Sequence, residues 1–378
     1  MTEHRPLHIL LVHVWYYPHV GGGNQHVEQI GMELVRRGHK VTVWCADVPE
    51  HDENRFNRGG IDVIRIKPSR VLAGVDPVVS IKELSLDGVD IIHLHDTLPI
   101  LIRKTLKRAK KEKIPVVTTY HNDYIKTSIS GKIIKKIRWA LQGRDTLHKS
   151  DAKIVLTSYF ESLLRTKGVK GKLDIIPNGF SKIEDSPSIP DPLKNRDNKR
   201  PLLVFVGRLS FQKGLDILMD AVDLFDQDPG FDLAIAGKGE LSEWLKERHT
   251  KLENSDLVTI LGLVTDPEKL WLYENATAVV IPSRFEGLPT VLLEAMHSSC
   301  PVIMSDVNGL GSLVTKSYSG LSTIPENPDI LSKKMKEIAN SQKEQLSIWG
   351  KNGFETSKKY LWPSVTENIL QVYRRVLE

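Results

Sequence analysis

The chain has 378 residues, of which 40% are apolar and 26% are charged, and this balance excludes a disordered chain. Its length allows about two to three domains, each large enough for its own core. The formal net charge of +5 is too small to indicate nucleic acid as a partner, and no apolar run reaches the roughly 20 residues of a membrane-spanning helix.

Two local features bear on the compartment. Residues 7–17 resemble the hydrophobic part of a signal peptide, but His8 and His13 interrupt the run and no small-residue cleavage site follows. This stretch therefore predicts a buried first strand. Cys45 and Cys300 lie far apart in apolar, strand-like contexts, which favours reduced core thiols over a disulfide. Both features indicate a cytoplasmic protein.

Short β-branched runs alternate with longer amphipathic runs along most of the chain, which predicts parallel sheets with crossover helices. In the first half, strands are predicted at 7–14, 40–46, 61–66, 91–94, 116–120, 153–157 and 173–176. Residues 181–200 contain three prolines and no apolar period, which is typical of a linker. The pattern then resumes with strands at 202–206, 233–236, 258–261, 278–281 and 302–304.

This pattern predicts a first domain over residues 1–180, a linker over 181–200 and a second domain over 201–357. Each domain is expected to be a doubly wound α/β sheet with no internal repeat. Sheets of this kind bind ligands at the carboxyl ends of their strands. Sites are therefore expected in the segments that directly follow the predicted strands.

Two glutamates lie eight residues apart, just after the predicted strand 278–281. If residues 290–297 are helical, Glu286 precedes the helix and Glu294 lies about two turns inside it, near the same edge. A carboxylate and free backbone N–H groups then face one cleft. Carboxylates bind hydroxyls and helix N-termini bind phosphates, so the pattern suits a nucleotide sugar, which carries both.

Further motifs follow one another along the chain. They occupy residues 18–28, with the glycines 21–23, and residues 34–43, 91–96, 120–123, 176–179, 205–214 and 235–240. In this order, and with the spacing of the two glutamates, they resemble the motifs of glycosyltransferase family 4, also described as glycosyl transferases group 1. The resemblance covers nearly the whole chain, and its specificity comes from the joint order of the motifs.

The resemblance implies the GT-B fold, with two Rossmann-like domains facing a central cleft and a C-terminal helix, within residues 358–378, that crosses back to the first domain. It also implies a retaining, metal-independent enzyme without a cofactor. This enzyme would move a hexose-type sugar from a nucleoside diphosphate to an acceptor on the first domain. UDP is the favoured nucleotide, and GDP stays an open alternative. The acceptor can be lipid-linked, a sugar or a polysaccharide.

The predicted catalytic residues are His121, Arg208, Lys213 and Glu286. Arg208 and Lys213 lie between a strand and a helix, where a guanidinium and an ammonium can bind a diphosphate and stabilise it as it leaves. On spacing alone, two solvated basic residues in a loop are the favoured interpretation, and the resemblance reverses that preference in favour of catalysis. It also implies that His121 lies beside the transferred sugar and Glu286 near the hydroxyls of the donor sugar.

The resemblance implies that Glu294 accepts hydrogen bonds from the ribose hydroxyls, and it places base contacts near residues 261–264. The other predicted nucleotide-sugar-binding residues are Gly22, Gly23, Gly207, Gly239, Leu263, Gly287, Leu288, Pro289 and Thr290. The glycine run is not a dinucleotide fingerprint, because no G-x-G-x-x-G is present. A nicotinamide-dependent dehydrogenase is therefore disfavoured. Ser299 stands where the family usually has glycine, which weakens inferences about the sugar.

Two clusters could suggest a metal ion. His93 and His95 share a strand face beside Asp96, but no third histidine or cysteine cluster accompanies them in the sequence, and zinc needs three or four ligands. Asp226 and Asp228 form an Asp-x-Asp motif, but they precede Pro229-Gly230 in a predicted solvated turn. The prediction is therefore that no metal site is present.

Two rival functions remain open: a nucleotide-sugar epimerase of the same fold, and a non-catalytic nucleotide-sugar-binding protein. A further hypothesis concerns the acceptor. Residues 103–113 are strongly basic, and residues 132–141 interleave basic with apolar residues at helical spacing. Such a face can contact an anionic membrane and a lipid-linked acceptor. The alternative is a solvated basic face whose apolar side packs on the sheet.

Overall fold

The computed structural model describes residues 5–19, 22–72, 76–121, 139–197, 199–225 and 228–378. The chain divides into two compact units. Unit 1 consists of Met1–Gly179 and Trp362–Glu378, and unit 2 of Phe180–Leu361. Unit 1 is therefore assembled from two separate stretches of the chain.

Unit 1 contains an eight-stranded sheet with the order β10-β9-β8-β7-β1-β2-β4-β3 and a separate hairpin, β5-β6. The strands are β1 His8–Val12, β2 Lys40–Ala46, β3 Arg55–Arg58, β4 Ile61–Ile66, β5 Pro68–Leu72, β6 Asp76–Val79, β7 Ile91–His95, β8 Val116–Tyr120, β9 Ala152–Val155 and β10 Asp174–Ile175. The helices before unit 2 are α1 Gly22–Arg36, α2 Ile100–Glu112, α3 Arg144–Lys149 and α4 Ser158–Thr166. Neighbouring strands of the large sheet are parallel except β3 and β4.

The centre of this sheet is buried on both faces. All residues of β7 and of β8 are buried, which explains why these strands appear in the sequence as continuous runs without alternation. The strand order reverses between β1 and β7, because β2 lies on the other side of β1 and β8 on the other side of β7. Ligands of doubly wound sheets bind beside such a reversal, so the loops after β1 and β7 form a candidate site.

Unit 2 contains a six-stranded parallel sheet with the order β13-β12-β11-β14-β15-β16. Its strands are β11 Leu202–Val206, β12 Asp232–Ala236, β13 Val258–Gly262, β14 Ala278–Ile281, β15 Val302–Ser305 and β16 Gly320–Thr323. Its helices are α5 Leu215–Asp223, α6 Ser242–His249, α7 Asp266–Asn275, α8 Thr290–His297, α9 Leu310–Lys316, α10 Pro328–Ala339 and α11 Lys343–Ser357. Counted within the unit, the order is 3-2-1-4-5-6, which is that of a dinucleotide-binding sheet and reverses between β11 and β14.

Residues 181–200, predicted as a linker, lie within unit 2. Leu193 is buried in the core of that unit. Arg196 donates to Asp232 at 2.7 Å, beside the start of β12. This segment is therefore attached to unit 2 by an apolar contact and an ion pair.

The last helix, α12 Trp362–Leu377, returns to unit 1. Trp362, Val365, Ile369 and Tyr373 recur at helical spacing and are buried in the same cluster as residues of α1. The predicted GT-B-type α/β class, with two doubly wound sheets and a C-terminal helix that crosses back, is confirmed. Among the described residues, none of the helices combines the length and the apolar character needed to span a bilayer.

Candidate functional site

In unit 2, the loops that follow β11, β12 and β14 meet where the strand order reverses. A Cβ on Gly237 would lie 1.8 Å from the carbonyl oxygen of Gly207, and one on Gly214 would lie 2.0 Å from that of Pro282. Gly237 and Gly214 also have positive φ angles of 144° and 69°. Only glycine fits at these two positions, and it brings the three strand ends into one continuous surface.

An ion pair joins two of these loops. The Nζ atom of Lys213, which follows β11, lies 2.6 Å from Oε1 of Glu286, which follows β14. Ser283 donates to the same oxygen at 2.8 Å. Glu286 is only 6% exposed, and its Oε2 has no hydrogen bond with a described residue. One carboxylate oxygen is thus fixed, and the other can accept from a ligand.

The loop before Lys213 is held by local hydrogen bonds. The hydroxyl of Ser210 accepts from the backbone N–H of Lys213 at 3.3 Å and caps a short 3-10 turn. The backbone N–H of Arg284 donates to the carbonyl of Gln212 at 2.9 Å, which ties this turn to the loop after β14. Arg208 lies in the same loop, is exposed, and has no ion pair with any described residue. Its guanidinium is therefore accessible to an anion.

Glu294 lies on α8 and is held in the same manner as Glu286. Tyr273 donates to its Oε2 at 2.9 Å, and the Nζ atom of Lys269 lies 3.3 Å from the same oxygen. Burial and the adjacent Glu294 raise the pKa of Tyr273 well above its ordinary value, so that its hydroxyl remains a donor. No described residue hydrogen-bonds Oε1 of Glu294, which can therefore accept from a ligand.

The position of Glu294 corrects one expectation. It is the fifth residue of α8, about one turn inside the helix rather than two. The first three residues after Glu286 belong to the preceding loop, so the spacing of eight overstated the helical distance. The effect is to bring Glu294 closer to the helix N-terminus, which is the end that attracts anions.

The turn before α8 is open. The N-cap Pro289 makes no side-chain capping hydrogen bond, and a Cβ on Gly287 would have nothing within 4 Å among the described residues. Gly239 lies in the loop after β12, where a Cβ would meet the carbonyl oxygen of Leu209 at 2.2 Å. Leu263, between β13 and α7, is 75% exposed. The predicted nucleotide-binding residues of unit 2 thus follow four adjacent strands of its sheet.

In unit 1, four histidines lie at the strand reversal. His13 follows β1, His26 lies on α1, His95 ends β7 and His121 follows β8. The ring of His121 is 4.8 Å from that of His26, 5.2 Å from that of His95 and 6.2 Å from that of His13. Gly22 begins α1, and a Cβ on Gly23 would meet Nε2 of His13 at 3.0 Å. The Gly-rich segment therefore contacts the histidines.

These histidines are neutral at pH 7. Burial, and then the adjacent histidines, hold the pKa of His95 and His121 well below the ordinary value. Burial also lowers the pKa of His26 to about 4. Each neutral ring has one donor nitrogen and one acceptor nitrogen. The cluster can therefore hydrogen-bond hydroxyl groups in either direction, or offer lone pairs to a cation.

The structure adds the third histidine that the sequence did not reveal. His93 is fully satisfied, because its two ring nitrogens lie 2.7 Å from the hydroxyls of Tyr373 and Thr119. His26, His95 and His121 instead place one ring nitrogen each within 4.8 Å of the others. His26 comes from α1, far in sequence from the histidines of β7, so the motif of β7 did not indicate it. A histidine three residues after the glycine run 21–23 was the signal that could have indicated it.

The predicted catalytic residues fall in both units. The structure brings Lys213 and Glu286 together in unit 2 and places Arg208 in the same loop as Lys213. His121 belongs to unit 1. Its predicted position beside the transferred sugar stays a prediction.

Two family profiles match the chain. The one described as Glycosyltransferase Family 4 matches residues 20–182, and the one described as Glycosyl transferases group 1 matches residues 191–356. The chain belongs to glycosyltransferase family 4. It is therefore a glycosyltransferase, as the motifs predicted.

Relatives and solved structures agree with this assignment. An uncharacterised glycosyltransferase of Methanocaldococcus jannaschii is 29% identical over 96% of this chain and 96% of its own. The alpha-monoglucosyldiacylglycerol synthase of Streptococcus pneumoniae is 26% identical over 81% of this chain and 72% of its own. HepE of Anabaena, solved in complex with UDP, has a TM-score of 0.71 at 16% identity and covers 98% of this chain and 100% of its own. The likeness to HepE shows a shared fold.

The Asp-x-Asp motif of this glycosyltransferase is partly described. Both carboxylate oxygens of Asp228 accept from the guanidinium of Arg200, at 2.7 and 2.8 Å. This pair lowers the pKa of Asp228 to about 2. Asp226 lies outside the described residues. The carboxylate of Asp228 is therefore already paired with the guanidinium of Arg200.

The basic helix α2 of this glycosyltransferase packs on its sheet. Ile102 and Leu106 are buried in the unit 1 core. Arg108 donates to the carbonyl of Leu84, and Lys110 pairs with Asp151 at 2.8 Å. The exposed basic residues without an ion pair to a described residue are Arg103, Lys107, Lys111 and Lys113. In the second basic segment, residues 132–138 lie outside the described residues.

Proposed function

We propose that this glycosyltransferase transfers a hexose-type sugar from a nucleoside diphosphate to an acceptor bound by unit 1, with retention of configuration and without a metal ion. The single observation that carries the proposal is the 2.6 Å contact between Lys213 and Glu286. These residues are 73 positions apart and belong to two family motifs. Their contact supports one site that contains a phosphate-binding cation beside a sugar-binding carboxylate.

The diphosphate is proposed to bind between the loop after β11 and the start of α8. Arg208 can bind two phosphate oxygens with its planar guanidinium, and Lys213 acts as a point charge. The open N-terminus of α8 adds backbone N–H groups and the positive end of the helix dipole. These three sources of positive charge support departure of the diphosphate without a cation.

The rest of the donor is proposed to bind to the two held carboxylates. Oε2 of Glu286 accepts from hydroxyls of the sugar, and Oε1 of Glu294 accepts from the ribose, because their other oxygens are already fixed. The exposed Leu263 packs against the base. UDP is the favoured donor nucleotide, because the structurally similar HepE was solved with UDP.

For the chemical step, we propose attack from the face that the diphosphate leaves. The bond from the anomeric carbon to the phosphate oxygen breaks, the acceptor oxygen bonds to that carbon, and its proton passes to a phosphate oxygen. Glu286 is not proposed as a nucleophile, because the ion pair between its Oε1 and Lys213 neutralises the charge of the carboxylate. His121 is proposed to contact the transferred sugar and orient it from unit 1.

We expect turnover to continue in excess chelator, with the anomeric configuration of the donor kept in the product. The measurement is ¹H NMR of the sugar product formed with and without the chelator. Activity that is abolished and then restored only by Mg²⁺ or Mn²⁺ would contradict the metal-independent proposal. A product with inverted configuration would exclude retention. A donor sugar converted to its epimer without transfer would indicate the epimerase, and donor binding without either reaction would indicate a binding protein.

For the acceptor, we propose a lipid-linked group reached at an anionic membrane surface. Two observations support it: the exposed basic residues of α2, and the lipid named in the Streptococcus pneumoniae relative. Since the apolar face of α2 is buried, this helix contributes electrostatic attraction and does not insert. Each basic residue near an anionic surface adds about 1 kcal/mol.

We expect the protein to co-sediment with anionic vesicles at low salt and to be released at high salt. Changing Arg103, Lys107, Lys111 and Lys113 to glutamine should weaken binding. The matched control changes four exposed lysines of unit 2, Lys246, Lys333, Lys336 and Lys343, and should bind like the wild type. If the wild type stays in the supernatant and glycosylates a soluble sugar efficiently, the acceptor proposal is wrong.

A further inference from the structure

We propose that His26, His95 and His121 of unit 1 form a binding site for a first-row transition metal ion such as Zn²⁺. Their rings lie 4.8, 5.2 and 5.4 Å apart in the three pairings, so they form a nearly equilateral triangle. One nitrogen from each ring lies within 4.8 Å of the other two. No two of these residues are on the same secondary-structure element or loop.

The triangle is close to the geometry that zinc requires. With zinc–nitrogen bonds of about 2.0–2.1 Å at tetrahedral angles, ligand nitrogens are about 3.4 Å apart and ring centroids about 5 Å apart. Nδ1 of His95 and Nε2 of His121 are 3.0 Å apart and share a single proton as neutral rings. A metal ion would bind both nitrogens in place of that proton after a small outward shift, and the ring that held the proton would carry it on its other nitrogen.

Two ring nitrogens of the cluster are otherwise unexplained. Nε2 of His26 and Nε2 of His95 are buried and have no hydrogen-bond partner among the described residues. His26 is 1% exposed and His95 is 0% exposed. Buried polar atoms are normally paired, so two unpaired imidazole nitrogens in one cluster indicate a missing partner. A single ion that binds this cluster accounts for the orphaned nitrogen of His26 directly.

The orientation of His26 supports this interpretation. Its Nδ1 lies 2.8 Å from the side-chain oxygen of Asn178, and an amide oxygen can only accept. Nδ1 therefore carries the proton, and Nε2 presents its lone pair to the cluster. Metal-binding histidines are usually held in this way, by a hydrogen bond from the other ring nitrogen. Asn178 is thus a positioning residue for the site.

The ligand set also selects the kind of ion. Three neutral imidazoles suit Zn²⁺, Co²⁺, Ni²⁺ or Cu²⁺, whereas Mg²⁺ and Ca²⁺ prefer oxygen ligands. His121 is the only partly exposed member of the three, so an ion would be reached from its side, and water would complete the coordination. The proposed transfer reaction does not need this metal ion.

The test uses the full-length protein freed of metal by a chelator and then dialysed. Titration with Zn²⁺ should show one site by calorimetry, and Co²⁺ should give the intense visible bands of tetrahedral coordination. Loss of an outer-shell partner typically weakens metal affinity by about 10–100-fold. His26→Gln and His95→Gln each remove a ligand and should weaken the affinity by more than that. The exposed His148→Gln should bind like the wild type.

Two further variants separate a metal site from a structural cluster. Asn178→Ala should weaken Co²⁺ affinity by about 10–100-fold, and Asn178→Asp, which keeps the acceptor, should restore it. Circular dichroism and thermal unfolding of each metal-free variant check folding. The proposal is overturned if the folded wild type binds neither ion, or if Co²⁺ binding is unchanged in His26→Gln and His95→Gln.

Activity is a separate readout. If His121 contacts the transferred sugar, Zn²⁺ should inhibit transfer, because the ion occupies the nitrogen that the sugar would meet. Tight Co²⁺ binding without inhibition would leave the metal site standing and contradict the proposed role of His121. If Zn²⁺ inhibits transfer but Co²⁺ gives no visible bands of tetrahedral coordination, the trihistidine site is overturned.

Discussion

We expect Arg208→Ala and Lys213→Ala each to lower turnover by about 10²–10³-fold, because each removes a positive charge that stabilises the leaving diphosphate. The loss should fall mainly on kcat, since negative charge on the diphosphate is greatest in the transition state. The measurement is steady-state transfer or donor hydrolysis with the natural nucleotide sugar. Normal turnover in either variant would remove that residue from the site.

The two variants differ in their effect on folding. Arg208 is exposed and has no ion pair with a described residue, so its removal should leave the thermal unfolding temperature unchanged. Lys213→Ala leaves the carboxylate of Glu286 buried without its cation and should lower that temperature. The double variant Lys213→Ala with Glu286→Gln should regain stability but not turnover. Lys246→Ala, an exposed lysine of the same unit, is the control for both measurements.

The second large effect is expected at the ribose. Glu294→Ala should weaken UDP binding by about 10–100-fold, because a hydrogen bond to a charged group contributes about 1.5–3 kcal/mol. Calorimetry can measure this loss directly. It should appear in binding as well as in KM, because the ribose contact is made in the ground state too.

A comparison with 2′,3′-dideoxy-UDP tests the assigned partner. The wild type should bind this analogue as weakly as Glu294→Ala binds UDP, and the variant should bind both ligands alike. Glu274→Ala, at the end of α7, is the control and should keep the wild-type preference. If Glu294→Ala still discriminates between the two ligands by the full wild-type factor, Glu294 does not contact the ribose.

The strands of both sheets were predictable wherever they are buried on both faces. The predicted bounds 40–46, 61–66, 116–120, 202–206 and 278–281 agree with the structure at both ends. Most residues of these strands are buried and apolar or β-branched, which gives a recognisable run even where a polar residue such as Asp62 interrupts it. The strand β3, the hairpin β5-β6 and the strand β16 were not predictable in this way. The first is a short polar edge strand, and all residues of β5 except Pro68 are exposed, so no apolar period marks either of them.

The contents of the site were easier to predict than its geometry. Family motifs identified Lys213 and Glu286, but their contact depends on β11 and β14 being neighbours, although two other strands lie between them in sequence. The other partners of the two glutamates are Ser283, Lys269 and Tyr273. No motif identified these contacts, so only the folded structure shows them. Ser299 is a different case: it stands where the family has glycine and has a φ of 56°, so the departure marked a left-handed backbone position.

The return of α12 to unit 1 has a consequence for the newly made chain. Trp362 packs against Gly179, where a Cβ would lie 2.4 Å from the indole ring, and against the ring of His26 at 5.4 Å. A ribosome releases unit 2 complete while these contacts of unit 1 still lack one side. Domains made early usually fold as units during synthesis. Here the half that begins first must wait for residues 362–378, which are translated after unit 2. Until then, the apolar surface meant for α12 is exposed to chaperones.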